Sequence, residues 1–144
     1  QGKAMFNFSY PATLVDNGEG GVIASFRDVP EAMTEGSRED IESWAKDALI
    51  TSIDFYMEER RAFPRPSKPL SGEILISLPP SVVAKVLLLN AMVEKNIRPI
   101  DLARLMHVKP QEVSRITDIR HSTKIDTLAK ALHAVGKELV IDVK

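Results

Sequence analysis

The chain contains no cysteine in 144 residues, which excludes a disulfide framework and every thiolate metal site. That absence suits a reducing compartment, and a cytoplasmic protein is expected. The three histidines, His107, His121 and His133, stand without ligand-type spacing, so no metal site and no cofactor are expected. No apolar run is long enough to span a bilayer, and the first residues lack the basic and hydrophobic regions of a signal peptide. A soluble chain with no membrane partner follows, with Gln1 to Ala4 read as a tag remnant ahead of a natural start at Met5. Asp28, Asp47 and Asp54 are carboxylates with no sign of proximity in sequence, and no nucleophile stands beside a base. They read as surface charge and caps; no catalytic residue is assigned and the chain is not expected to be an enzyme.

Charge of either sign is nearly absent only as a total. The net charge of −1 conceals 8 Lys and Arg against 13 Asp and Glu in residues 1–79, a net of −5, and 11 against 7 in residues 80–144, a net of +4. An acidic half joined to a basic half suggests two partners of opposite charge, the basic half being suited to phosphate.

Two domains are expected, 5–79 and 80–144, divided at Pro79-Pro80. In the first, Phe6, Phe8, Tyr10, Ala12 and Leu14 alternate with polar residues and Pro11, the two-residue period of a half-buried strand. Pro11 suggests a sheet edge. Asp16-Asn17-Gly18-Glu19-Gly20-Gly21 is a turn cluster, and Val22, Ala24 and Phe26 resume the alternation, so a hairpin is predicted. The glycines have neither the spacing of a phosphate loop nor its following Lys-Ser/Thr.

Ser37 with Asp40 resembles a capping box, and Ile41, Trp44, Ala45, Ala48, Leu49, Ser52, Phe55 and Tyr56 mark the buried face of a helix reaching about Glu59. Pro64, Pro66 and Pro69 make an extended connector, after which Ile74, Ile76 and Leu78 mark a strand returning to the sheet. The second domain reads as four helices, near 82–96, 99–106, 111–119 and 125–135, the last ending at Gly136. Leu139, Ile141 and Val143 then suggest a C-terminal strand, paired with a second subunit or with the N-terminal sheet.

Residues Pro99 to Asp118 fit the template of a helix-turn-helix. Leu102, Met106, Val108, Val113 and Ile116 fall at the buried positions, and Ala103 stands where the two helices approach most closely. Position nine, usually glycine because the chain turns through the left-handed region, is His107. Histidine tolerates that region better than most residues, at a strain of about 1 kcal/mol. A helical bundle that shares the spacing is the alternative.

The second helix of such a unit presents its first residues to base edges in the major groove. Here those are Gln111, Ser114 and Arg115. Gln matches adenine and Arg matches guanine through paired hydrogen bonds. Glu112 either accepts from cytosine or steadies Arg115, and the plainer reading is that Arg115 only pairs with Glu112 or Asp118 across a helical turn. Lys109, His121, Ser122, Thr123 and Lys124 form a phosphate-contacting rim, with solvated loop residues as the alternative.

Taken together these pieces resemble the HicB antitoxins of type II toxin–antitoxin modules, in the branch with a helix-turn-helix rather than a ribbon-helix-helix. The residues that carry the resemblance are the strand ending at Phe26, Asp28-Val29-Pro30, Thr34-x-Gly36, the helix with Ala45 to Leu49, SVVAKVLLLNA from Ser81 to Ala91, and the helix-turn-helix. Glu31 departs from the glycine that many members carry after the proline. The resemblance implies an α+β chain: a partial ribonuclease-H-like sheet with one long helix, then an all-α, Cro/repressor-like domain ending in a strand. It implies that the first domain covers HicA, a small mRNA-cleaving toxin resembling a double-stranded-RNA-binding domain, without assigning toxin-contacting residues. It also implies a homodimer on palindromic operator DNA of its own promoter, with recognition helices about 34 Å apart. A stand-alone regulator with a small-molecule-sensing N-terminal domain is the second reading, and residual nuclease activity through Asp28 the third.

Overall fold

The computed structural model describes residues 8–143. Phe6, Met5 and the expected tag remnant lie outside the described residues. The chain forms two compact units: one up to Phe55 together with Pro64–Leu78, the other Tyr56–Phe63 together with Pro79 onward.

The first unit is a four-stranded antiparallel sheet, β1 (Ser9–Asp16), β2 (Gly21–Phe26), β3 (Met33–Ser37) and β4 (Ile74–Ser77), in the order β3-β2-β1-β4. Period-two alternation puts Phe8, Tyr10 and Ala12 into the core with Val22, Ala24, Phe26 and Ile76. The hairpin forms as expected. Asn17 Oδ1 accepts from the Glu19 and Gly21 amides at 2.8 and 3.0 Å, and Gly18 and Gly20 take positive φ values that side chains resist. Arg27 grips Glu73 through two nitrogens at 2.9 and 3.2 Å, tying the end of β2 to the start of β4. That guanidinium and the Leu70 amide hold the Glu73 carboxyl below the usual carboxylate range.

Two expectations for this unit need correction. Pro11 lies in a central strand, not at an edge. It survives there because β1 pairs with β4 over Ser9–Ala12 but with β2 only from Ala12 onward. Pro11 therefore has a neighbouring strand on one side alone, and its missing N–H breaks no second ladder. The edges are instead β4 and β3, and the sequence pattern predicts no strand at β3, whose exposed and half-buried residues Met-Thr-Glu-Gly-Ser carry almost no hydrophobic alternation.

The second correction concerns α1 (Ile41–Glu58). Its start follows the capping pattern, with the Asp40 amide donating to Ser37 Oγ at 3.2 Å. Its buried face is Ile41, Ala45, Leu49, Ser52, Ile53 and Tyr56, however, while Trp44 and Phe55 are 52% and 51% exposed. The apolar residues of this helix make two adjacent stripes, one buried and one half-exposed.

The second unit is α-helical: α2 (Pro80–Glu94), α3 (Pro99–Met106), α4 (Pro110–Ile116) and α5 (Ile125–Ala134). Proline at the first helical position opens α2, α3 and α4, where its missing N–H is an orphan in any helix. Asn96 and Gly136, both at positive φ, end α2 and α5; the amides that follow them donate to Met92 O at 2.8 Å and Leu132 O at 2.9 Å. The core joins Leu88, Leu102, Ala103, Val113, Ile116, Leu128 and Leu132. The connector is anchored as well as extended. Phe63 is 1% exposed, meets Tyr56 edge-on at 5.0 Å, and exchanges hydrogen bonds with the Asn90 amide at 2.7 and 3.1 Å.

The expected C-terminal strand is absent from the single chain. Leu139 packs on the helical core, but Val140, Ile141 and Val143 are 77%, 71% and 85% exposed, and the segment pairs with no strand among the described residues. Alternation supplies a strand's side-chain pattern, whereas its backbone needs a partner edge. The N-terminal sheet does not provide one.

Candidate nucleic-acid interface

Helices α3 and α4 build the helix-turn-helix from the positions read in the sequence. Leu102, Ala103, Val113 and Ile116 are buried at 0–3% exposure, with Met106 and Val108 partly buried behind them. His107 sits at φ 58° and ψ 43°, the left-handed conformation its place in the turn demands. The Val108 amide then reaches back to Ala103 O at 3.0 Å, closing the end of α3. At the other end of α3, the Asp101 carboxylate accepts from the Arg98 amide at 2.9 Å.

Gln111, Ser114 and Arg115 are all exposed on α4. Among the described residues Arg115 pairs with neither Glu112 nor Asp118. Asp118 is otherwise engaged, accepting from the Arg120 amide at 3.0 Å. The Ser114 hydroxyl donates to Pro110 O at 3.2 Å, so its remaining capacity is that of an acceptor. An acceptor at that place matches the exocyclic amino groups of adenine or cytosine.

The rim residues are likewise at the surface. Lys109 precedes α4 and Lys124 precedes α5, both exposed; His121 Nδ1 lies 3.4 Å from Thr123 Oγ1 in the loop between those helices.

One residue that holds this surface together escaped the sequence reading. Lys85 in α2 is only 2% exposed, and its ammonium donates to three backbone carbonyls: Arg115 at 3.2 Å, Asp118 at 2.6 Å and His121 at 2.5 Å. Three N–H groups meet three acceptors, so the charge is buried but not orphaned. Burial pulls the Lys85 pKa below the ordinary lysine value, opposed by the charge of Asp118. The same contact ties the end of α4 to the loop carrying His121. The available signal was a single cation inside the apolar run VVAKVLLL.

A sequence profile described as the HicB_like antitoxin of bacterial toxin-antitoxin systems matches residues 9–87. The chain belongs to the HicB antitoxin family. It is therefore an antitoxin of a toxin–antitoxin system. Antitoxin HicB 2 of Photorhabdus laumondii is 47% identical over 134 residues, covering 92% of this chain and 94% of its own length. Antitoxin HicB of Escherichia coli strain K12 is 46% identical over 132 residues, covering 90% and 95%. The HicB profile takes in the whole described sheet, α1 and the start of α2, and stops before the helix-turn-helix.

Within the HicB-matched part, Asp28 is committed to structure. It accepts from the Ser67 amide at 2.8 Å and the Ser67 hydroxyl at 2.6 Å, which fastens the connector to the end of β2. No three His, Asp or Glu side chains gather into a metal-holding group among the described residues, and no described helix is long and apolar enough to cross a membrane.

Proposed function

We propose that the N-terminal unit neutralises a HicA-type mRNA-cleaving toxin by covering it, and that the helix-turn-helix represses the antitoxin's own operon in the cytoplasm by binding operator DNA. The observation that carries the second half is the exposed α4 surface, on which Arg115 has no acidic partner among the described residues. Gln111, Ser114 and Arg115 read bases; Lys109, His121, Thr123 and Lys124 hold phosphates and set register. The net of +4 in residues 80–144 supports contact with a polyanion, and the net of −5 in residues 1–79 supports contact with a basic toxin. Cover suffices for inhibition, so the role asks for no catalysis by this chain.

Co-expression with the neighbouring reading frame should yield a co-purifying toxin, and the purified complex should retain an upstream promoter fragment at low ionic strength. Purified antitoxin that ignores both would refute the proposal.

The DNA-binding form is a homodimer. The support is the row of exposed Val140, Ile141 and Val143, whose backbone has no strand partner among the described residues. Deleting residues 138–144 is expected to convert a dimer to a monomer in light scattering. An unchanged mass removes this segment from the interface.

A further inference from the structure

A second surface of the N-terminal unit has the features of a docking site. Between the edge strand β3 and α1 lies an open hollow of 270 Å³, lined by Met33, Trp44, Asp47, Ala48 and Phe55 among others. Its two lips are the aromatic residues left outside the core, Trp44 and Phe55, and Met33 beside them is 63% exposed. Three large, half-exposed apolar side chains around one concavity make a contiguous patch, not scattered surface residues. Trp44, Ala48, Thr51 and Phe55 stand at successive turns of α1, so they form a single stripe.

The hollow is shaped locally. A side chain at Gly36 would place its Cβ 3.0 Å from Trp44 Cδ1, so glycine in β3 gives the indole its seat. Trp44 is thus supported on one side and presented on the other, which lowers the entropy lost when a partner covers it.

Charge selects the partner. Residues 31–58 hold 8 of the chain's carboxylates against Arg38 and Lys46, a net of −6, which exceeds the acidic excess of the whole N-terminal half. Glu31 and Asp47 line the hollow itself, and no Lys or Arg does. An apolar hollow framed by carboxylates matches a basic surface that offers an apolar side chain.

We propose that the β3–α1 hollow docks a basic protein partner, with Trp44 and Phe55 as its apolar anchors and Asp47 as an electrostatic contact. This rests on the reading that the N-terminal unit holds a toxin, and it names the surface that does so. The exposed edge of β3 extends the same face and offers unpaired backbone groups to an incoming strand.

The probe is the polypeptide of the neighbouring frame, titrated against the full-length antitoxin. Trp44→Ala and Phe55→Ala should each weaken binding about 30-fold, the loss expected of an aromatic anchor. Asp47→Lys should weaken it further as salt is lowered, where the wild type tightens. Both aromatic positions are half-exposed, and an unchanged melting profile confirms the fold of each variant. Trp44 is the only tryptophan, so the difference in emission between wild-type and Trp44→Phe complexes reports its burial. Binding by the wild type with all three substitutions silent overturns this surface while leaving the toxin partnership intact. No binding by the wild type refutes the partnership itself. Emission from Trp44 that changes on dilution of the antitoxin alone assigns the hollow to a second copy of the chain, and overturns the basic partner.

Discussion

Replacing Lys85 by methionine should destabilise the helical unit by about 3 kcal/mol, although no exposed side chain of α4 is touched. Methionine matches the lysine stem in volume and flexibility, so α2 keeps its packing and the loss falls on the ammonium. Removing that group takes a donor from three carbonyls at once. Hydrogen bonds to a charged donor contribute about 1.5–3 kcal/mol each, and a buried acceptor left without a partner costs about 1–3.

The three do not simply add. Arg115 O also accepts from the Asp118 amide at 3.2 Å, and Asp118 O from the His121 amide at 3.1 Å, so each retains one partner. Desolvation of the ammonium, which lowers the lysine pKa, is recovered when the charge is deleted. An intermediate loss of about 3 kcal/mol is the balance, corresponding to a fall of roughly 10–20 °C in Tm for a unit of this size. Urea or thermal unfolding of the antitoxin measures it. A loss under about 1 kcal/mol would mean that water replaces the ammonium, and that Lys85 does not anchor the loop.

Lys85 also marks where the sequence stops being informative. The run around it announces a buried helix, but the residue's own chemistry becomes visible only when α4 and its loop bring three carbonyls within 3.2 Å. Local devices were legible because they are written in neighbouring residues. The hairpin depends on Asn17 and positive-φ glycines four residues apart or fewer; the Ser37 cap lies three residues from the amide it serves. The helix-turn-helix belongs with these. Its buried positions and the left-handed His107 follow from spacing within twenty residues.

What failed required knowledge of a distant neighbour. Pro11 pointed to an edge because proline cannot donate to a ladder, and only the stagger of β2 against β4 shows how a central strand accommodates it. The strand β3 gave no signal because an edge with exposed faces needs no apolar alternation. On α1 the apolar spacing groups Trp44 and Phe55 with Ile41, Ala45, Leu49 and Tyr56 on one buried face and passes over Ile53, whereas Ile53 is buried and the two aromatics stay half-exposed. The C-terminal alternation is real in composition, but no backbone pairing follows among the described residues. For the site, identity and exposure of Gln111, Ser114 and Arg115 followed from helix geometry; the spent proton of Ser114 did not.

Arg115→Ala and Lys124→Ala are expected to separate base reading from phosphate holding on the same duplex. Arg115 has a planar fork of donors and no carboxylate partner among the described residues, while its backbone is fixed through Lys85. A fork so placed in the major groove reaches two acceptors on one guanine, worth about 1–3 kcal/mol of discrimination. Its loss should reduce the ratio of operator to random-sequence affinity by roughly 5- to 150-fold, with a smaller change on random DNA. Lys124 precedes α5 with an exposed, flexible ammonium that recognises charge without orientation. Lys124→Ala should therefore weaken operator and random duplexes by the same factor and flatten the dependence of log K on log salt by about 0.9, the release of one counterion. Titrations of both variants against both duplexes at several salt concentrations decide the matter. Equal losses on every sequence from both substitutions would show that Arg115 touches only phosphate, and that α4 enters the groove in another register.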